Sequence, residues 1–135
     1  GKGRRGYGAV VGGRTATYHH NLIAHNVSRA PRFGATTKND PIMLLDYVNN
    51  VHYNWGKSNS FYGGDNRQGT KGKFQANIVN NYYKPGPAYP GTSKTRIVRA
   101  SFWTDAPVQG RNESLWHLNG NYIEGTANSA INTNN

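Results

Sequence analysis

The chain has 135 residues, enough for one domain with a core, yet its mean hydropathy is −0.81 and Leu, Ile, Val and Phe are sparse, close to compositions with too little apolar surface to offset ordering entropy. Nine Tyr and three Trp argue against disorder, the lack of Cys excludes disulfide stapling and thiolate chemistry, and no apolar run is long enough for a membrane-spanning helix. Sixteen Lys and Arg against six Asp and Glu give a net charge of +10, a field that attracts nucleic acid, an anionic lipid surface or an acidic polysaccharide.

Residues 1–6, Gly-Lys-Gly-Arg-Arg-Gly, read as a basic, flexible end or the remains of a loop. No basic stretch leads into an apolar segment, so a signal peptide is expected to be absent or already removed. Ala9-Val10-Val11 forms a short apolar run before Gly12-Gly13. Beyond it, helical periodicity is nearly absent, and short apolar or aromatic pieces alternate with Gly, Asn, Asp and Pro, the pattern of strands and turns. Asn39-Asp40-Pro41 and Lys84-Pro85-Gly86-Pro87 are the clearest breaks, because proline lacks a donor and restricts the residue before it.

Internal repetition is the stronger signal. Four segments superpose on Asn21, Asn50, Asn81 and Asn121, spaced by 29, 31 and 40 residues. Three positions before each anchor stands Tyr18, Tyr47, Ile78 or Leu118, and directly after it stands Leu22, Val51, Tyr82 or Tyr122. Asn tolerates the left-handed backbone region, so each anchor reads as a turn between two strands. Units of this length bury no face alone and stack on their neighbours, with Asn bonding to Asn and aromatics piling up. The predicted fold is therefore all-β, a parallel β-helix over residues 1–135, with a long loop excursion over about 84–112. A β-sandwich with Asn-rich turns is the alternative. So few coils would leave end faces exposed, which points to a piece of a longer solenoid.

At this point the residues resemble a known family. His19-His20-Asn21 followed by Arg29-Ala30-Pro31-Arg32-Phe33-Gly34 resembles the His-His-Asn and Arg-x-Pro-Arg segments of the pectate lyase and pectin lyase superfamily. The runs Tyr47 to Gly56, Phe61 to Gly64 and Ala76 to Tyr83 are similar to the coils that follow there. The likeness covers residues 7–86 well and the remainder loosely. It implies a right-handed parallel β-helix, a secreted or periplasmic location, and cleavage of an acidic polyuronate by β-elimination. It also implies a calcium ion whose ligands lie mostly outside this chain, and a partner in the preceding coils of the same β-helix.

The resemblance assigns Arg29 as the base that takes the C5 proton of the uronate. A guanidinium, protonated to above pH 12, is a poor base unless neighbouring positive charge disfavours its protonated form and cations neutralise the substrate carboxylate. Arg32, across Pro31, suits bidentate capture of a carboxylate. Two departures stand out: Gly34 occupies the position of a further family arginine, and Tyr7 that of a lysine. Tyr7 offers a hydrogen bond or a stacking face to a sugar but no charge at pH 7. Lys2, Arg4, Arg5 or Arg14 would have to compensate, and Arg14, after Gly12-Gly13, is the best placed.

His19, His20 and His25 invite a metal reading, but adjacent strand residues point to opposite faces and no carboxylate or Cys completes a known spacing, so no metal site is assigned. His20 is expected to bond within the asparagine stack. His52 reads equally as packing or groove surface, and Tyr53, Trp55, Phe61 and Tyr62 as groove lining or core. Asp46, Asp65 and Glu113 are too dispersed for a carboxylate pair or a calcium cage. The alternative function is a non-catalytic module that binds an acidic polysaccharide. Nucleic acid is disfavoured as a partner for want of a recognition motif, and a membrane for want of a spanning segment.

Overall fold

A computed structural model describes residues 6–34, 42–56, 59–64, 73–88, 96–100 and 114–125. The described residues form short strands in chain order: β1 (Val10–Val11), β2 (Thr15–His19), β3 (Leu22–Ala24), β4 (Arg32–Phe33), β5 (Ile42–Val48), β6 (Val51–Tyr53), β7 (Asn59–Gly63), β8 (Lys73–Val79), β9 (Tyr82–Lys84), β10 (Arg96–Ala100), β11 (Ser114–Asn119) and β12 (Tyr122–Ile123). Every third strand belongs to the same sheet, giving three four-stranded parallel sheets, β1-β4-β7-β10, β2-β5-β8-β11 and β3-β6-β9-β12. The chain is a right-handed parallel β-helix.

Alternation explains which side chains face inward. Along β5 Met43, Leu45 and Tyr47 are buried between more exposed neighbours, and β8 repeats the pattern with Phe74, Ala76 and Ile78. The register places Leu45 beside Ala76 and Ala76 beside Trp116, then Tyr47 beside Ile78 and Ile78 beside Leu118. Large and small residues thus interleave from coil to coil. Phe33 is the aromatic hub, its ring centroid 5.0 Å from Phe61, 5.6 Å from Tyr47 and 5.7 Å from Trp116. Such pairs add about 0.5–1.5 kcal/mol each beyond area burial, which compensates for the scarcity of aliphatic residues.

The corner between β2 and β3, and its equivalents, carries a polar ladder. The Asn50 side-chain oxygen accepts from Asn21 N at 3.0 Å and from Asn21 Nδ2 at 2.9 Å. Asn81 receives the corresponding bonds from Asn50 at 2.9 and 3.0 Å, and Asn121 receives those from Asn81 at 3.1 and 3.0 Å. Each amide also donates back to a carbonyl: Asn50 to Tyr18, Asn81 to Tyr47 and Asn121 to Ile78. The left-handed residue, however, is the one before each anchor, namely His20, Asn49, Asn80 and Gly120, with φ of 54°, 53°, 54° and 62°. The anchor amide must point inward to reach the next coil, so the exposed residue ahead of it takes the turn.

His20 is therefore not a member of the ladder. It is exposed, and its Nδ1 lies 2.8 Å from that of His19. The left-handed corner overrides the strand alternation that would have sent the two rings to opposite faces. Two further expectations change. Gly6, read as part of a flexible end, accepts a hydrogen bond from Val27 N at 2.6 Å, while residues 1–5 lie outside the described residues. Within 84–112, read as a loop excursion, Arg96–Ala100 is strand β10 on the β7 edge, with Val98 opposite Phe61. Residues 89–95 and 101–112 lie outside the described residues.

Candidate functional site

The connection from β3 to β4 contains both arginines singled out by the sequence. Its backbone is held by the coil before it: Gly8 N donates to Ser28 O at 3.0 Å, Ala9 N to Arg29 O at 2.9 Å, and Arg32 N to Ala9 O at 2.9 Å. A side chain at Gly8 would collide with the Arg29 carbonyl, so glycine is what lets the two coils approach. Arg29 itself adopts φ of 56°. A non-glycine residue there costs about 1–3 kcal/mol and persists only where its surroundings over-determine it. Ala30 and Pro31 are buried directly behind it.

Both guanidinium groups lie against aromatic rings. Arg29 sits 4.6 Å above the centroid of Tyr7, and Arg32 lies 5.8 Å from that of Tyr62. Tyr7, at the position of a family lysine, is thus a half-exposed platform under Arg29, which is itself partly buried. A ring face favours the charged guanidinium by about 0.5–1 kcal/mol at an exposed site. Arg29 precedes β4 by three residues and Arg32 opens it, so both lie toward the N-terminal end of that strand. Arg14 stands in the connection from β1 to β2, three residues past the end of β1. Lys2, Arg4 and Arg5 lie outside the described residues.

Of the aromatic candidates, Trp55 and Phe61 are core, Tyr53 packs edge-on against His25 at 5.0 Å, and Tyr62 backs Arg32. His52 is core as well, 1% exposed, with its ring stacked on Tyr83 at 4.6 Å. Two structural features are not evident from the sequence alone. One is Ser60, buried beside His52, with its hydroxyl donating to the Ala30 carbonyl at 2.9 Å. The other is a second corner pair, Asn54 and His25, joined at 2.9 Å, where both residues have positive φ. Their common offset of four positions from Asn50 and Asn21 was the available signal.

Among the described residues, no group of three or more His, Cys, Asp and Glu side chains could hold a metal ion. Asp46 faces outward from β5 and accepts from Asn77 Nδ2 at 2.7 Å, and Asp65 and Glu113 lie outside the described residues. Asp46 is thus the one of these three carboxylates that the described residues include, and it is bonded to an amide on the neighbouring coil. A groove of about 440 Å³ crosses the β2-β5-β8-β11 face, lined by Thr17, Asp46, Asn77 and His117 among others. It includes neither arginine, and the chemistry of the chain does not point to it.

No protein-family model matches the chain. It is 32% identical over 89 residues to probable pectate lyase C of Aspergillus terreus, covering 66% of this chain and 18% of that protein. It is 33% identical over 76 residues to the probable pectate lyases C of Neosartorya fischeri and Aspergillus fumigatus, covering 56% of this chain and 15% of theirs. The chain thus spans less than a fifth of the length of these curated relatives. It is homologous to part of them, and its three parallel sheets are consistent with the pectate lyase β-helix superfamily.

Proposed function

We propose that the chain is part of a polysaccharide lyase that cleaves an acidic polyuronate by β-elimination. The observation that carries this reading is the built turn at Arg29: a strained left-handed arginine, stitched to the coil before it and stacked on Tyr7, three residues from a second ring-backed arginine. Arg32 would hold a uronate carboxylate through its planar fork. Arg29 would take the proton from C5, the C5–H electrons would form the C4=C5 double bond, and the C4–O bond would break with its electron pair leaving on the sugar oxygen, which takes a proton from water. The relatives' names point to pectate as the substrate class, and a polymer of that kind implies action outside the cell or in the periplasm. A calcium ion would take most of its ligands from beyond the described residues and would neutralise the substrate carboxylate. The half-exposed inward residues of the first coil, Ala16, Tyr18 and Ile23, would be covered by preceding coils of the same solenoid.

One observation favours a second reading, a binding module without turnover. The Tyr7 ring covers one face of Arg29, where the family lysine would have brought a second cation to a substrate carboxylate. Incubating the protein with polygalacturonate, with and without added calcium, and following ultraviolet absorbance of unsaturated product ends separates the two. Absorbance that rises, and is abolished in Arg29→Lys while polymer retention in affinity electrophoresis persists, supports the lyase. Retention without absorbance at any calcium level leaves the binding module. Unchanged turnover in Arg29→Ala would remove its assignment as the base.

A further inference from the structure

Beneath the arginine turn, on the core side, runs a continuous hydrogen-bonded chain that no step of the elimination uses. Tyr47 Oη lies 2.9 Å from His52 Nε2, His52 Nδ1 lies 2.9 Å from Ser60 Oγ, and Ser60 Oγ donates to the Ala30 carbonyl at 2.9 Å. All four residues are at most 2% exposed. The direction of the chain follows from proton counting. A carbonyl only accepts, so the single Ser60 hydrogen goes to Ala30, and Ser60 must then accept from His52 Nδ1–H. That fixes the tautomer, leaving Nε2 as the acceptor for the Tyr47 hydroxyl.

The segment between the two arginines is thereby held from both sides. Carbonyls 28 and 29 are taken by Gly8 and Ala9 of the preceding coil, and carbonyl 30 by Ser60 of the following one. Three successive carbonyls are engaged, and they flank the left-handed turn at Arg29. A buried hydroxyl relay is a costly way to fill a core, since every member must be satisfied and none gains from exposure. An apolar side chain at position 52 would still meet Tyr83 but would offer Ser60 no donor and the Tyr47 hydroxyl no acceptor.

We propose that Tyr47, His52 and Ser60 are positioning residues, a buried relay that fixes the Ala30 carbonyl and so aims Arg29 and Arg32 at an acidic ligand. The proposal rests on the function argued above for its ligand but not for its geometry. Burial keeps His52 neutral, with its pKa lowered to about 3 although the Ala30 backbone pulls the other way. The neutral ring keeps one protonated and one bare nitrogen, as the relay requires, at any pH well above 3.

The test has one arm that needs no activity. In the unaltered protein, nitrogen-15 NMR of the His52 ring should report a neutral imidazole protonated at Nδ1. An Nε2-protonated ring would overturn the relay, because Ser60 would have no proton left for Ala30. In Ser60→Ala, the ring-current shift that Tyr7 imposes on the Arg29 side chain should be lost, while amide signals of Asn50 and Asn81 stay in place. Retention of that shift in a folded variant would also overturn it. Where Ser60→Ala fails to fold, Tyr47→Phe removes the distal hydroxyl alone and should produce a smaller displacement of the same Arg29 signals, and none at all would count against the proposal. On polygalacturonate, Ser60→Ala should lower kcat/KM by about 10- to 100-fold at full folding, the cost of misplacing a reactive group, with Ser60→Thr restoring most of it. An inactive unaltered protein would refute the lyase reading while leaving the NMR arm to judge the relay.

Discussion

At the scale of single residues, the stability of the solenoid rests on side chains that bond in two directions. Asn81 is 1% exposed, accepts two bonds from Asn50, and donates to Asn121 and to the Tyr47 carbonyl. Asn81→Ala strands several buried polar groups at about 1–3 kcal/mol each, so a loss on the order of 4 kcal/mol is expected in urea denaturation. Asn21→Ala, on the exposed first rung, should cost about 1 kcal/mol. Equal losses at the two positions would contradict the ladder. His52 supplies a pH signature of the same kind. Its folded pKa of about 3 lies below the ordinary value near 6.5, so both states are neutral above about pH 6.5 and stability there owes nothing to its titration. Below that pH only the unfolded chain takes up the proton, and stability falls by roughly 1 kcal/mol per pH unit until the folded pKa is reached. The decline in urea midpoint between about pH 6.5 and pH 4 should be shallower in His52→Phe, and parallel curves would show that His52 is not buried as the neutral form.

At the scale of elements, the connection between β3 and β4 depends on close approach of the coil before it. Gly8→Ala places a methyl group against the Arg29 carbonyl and the Asn26 side chain, so the two strands of backbone must part. Because Gly8 is exposed and lies ahead of the main aromatic core, the variant should keep its fold by circular dichroism while losing about 10-fold or more of polymer affinity or turnover. Full activity in Gly8→Ala would show that the stitched backbone does not aim Arg29. The sequence made the ladder legible because all four anchors carry apolar flanks at fixed offsets, a pattern only stacked coils require. It misplaced the left-handed residue by one position, since Asn-Asn in two of the four copies gives no local reason to prefer either member. Strand β10 was missed because its apolar content, Ile97-Val98 between Arg96 and Arg99, is too short to stand out without its partner β7. The arginine turn was legible as a motif, but Ser60 and His52 were not, because their role exists only across coils.

At the scale of the whole molecule, the net charge of +10 and the two ring-backed arginines make different demands on a ligand. Diffuse charge attracts any polyanion and is screened as the Debye length shrinks from about 30 Å at 0.01 M salt to about 3 Å at 1 M. Contacts made by Arg29 and Arg32 on their aromatic platforms are local and planar, and screening weakens them less. Polygalacturonate retention should therefore fall steeply with salt and then level at a residual that Arg29→Ala combined with Arg32→Ala removes. Heparin, more highly charged and with most of its charge on sulfates, should bind more strongly at low salt, follow the steep part and leave no residual. Measuring both polymers by affinity electrophoresis across that salt range separates the field of the molecule from its site. Curves of the same shape for the two polymers would mean that charge alone governs binding and that the turn at Arg29 confers no recognition.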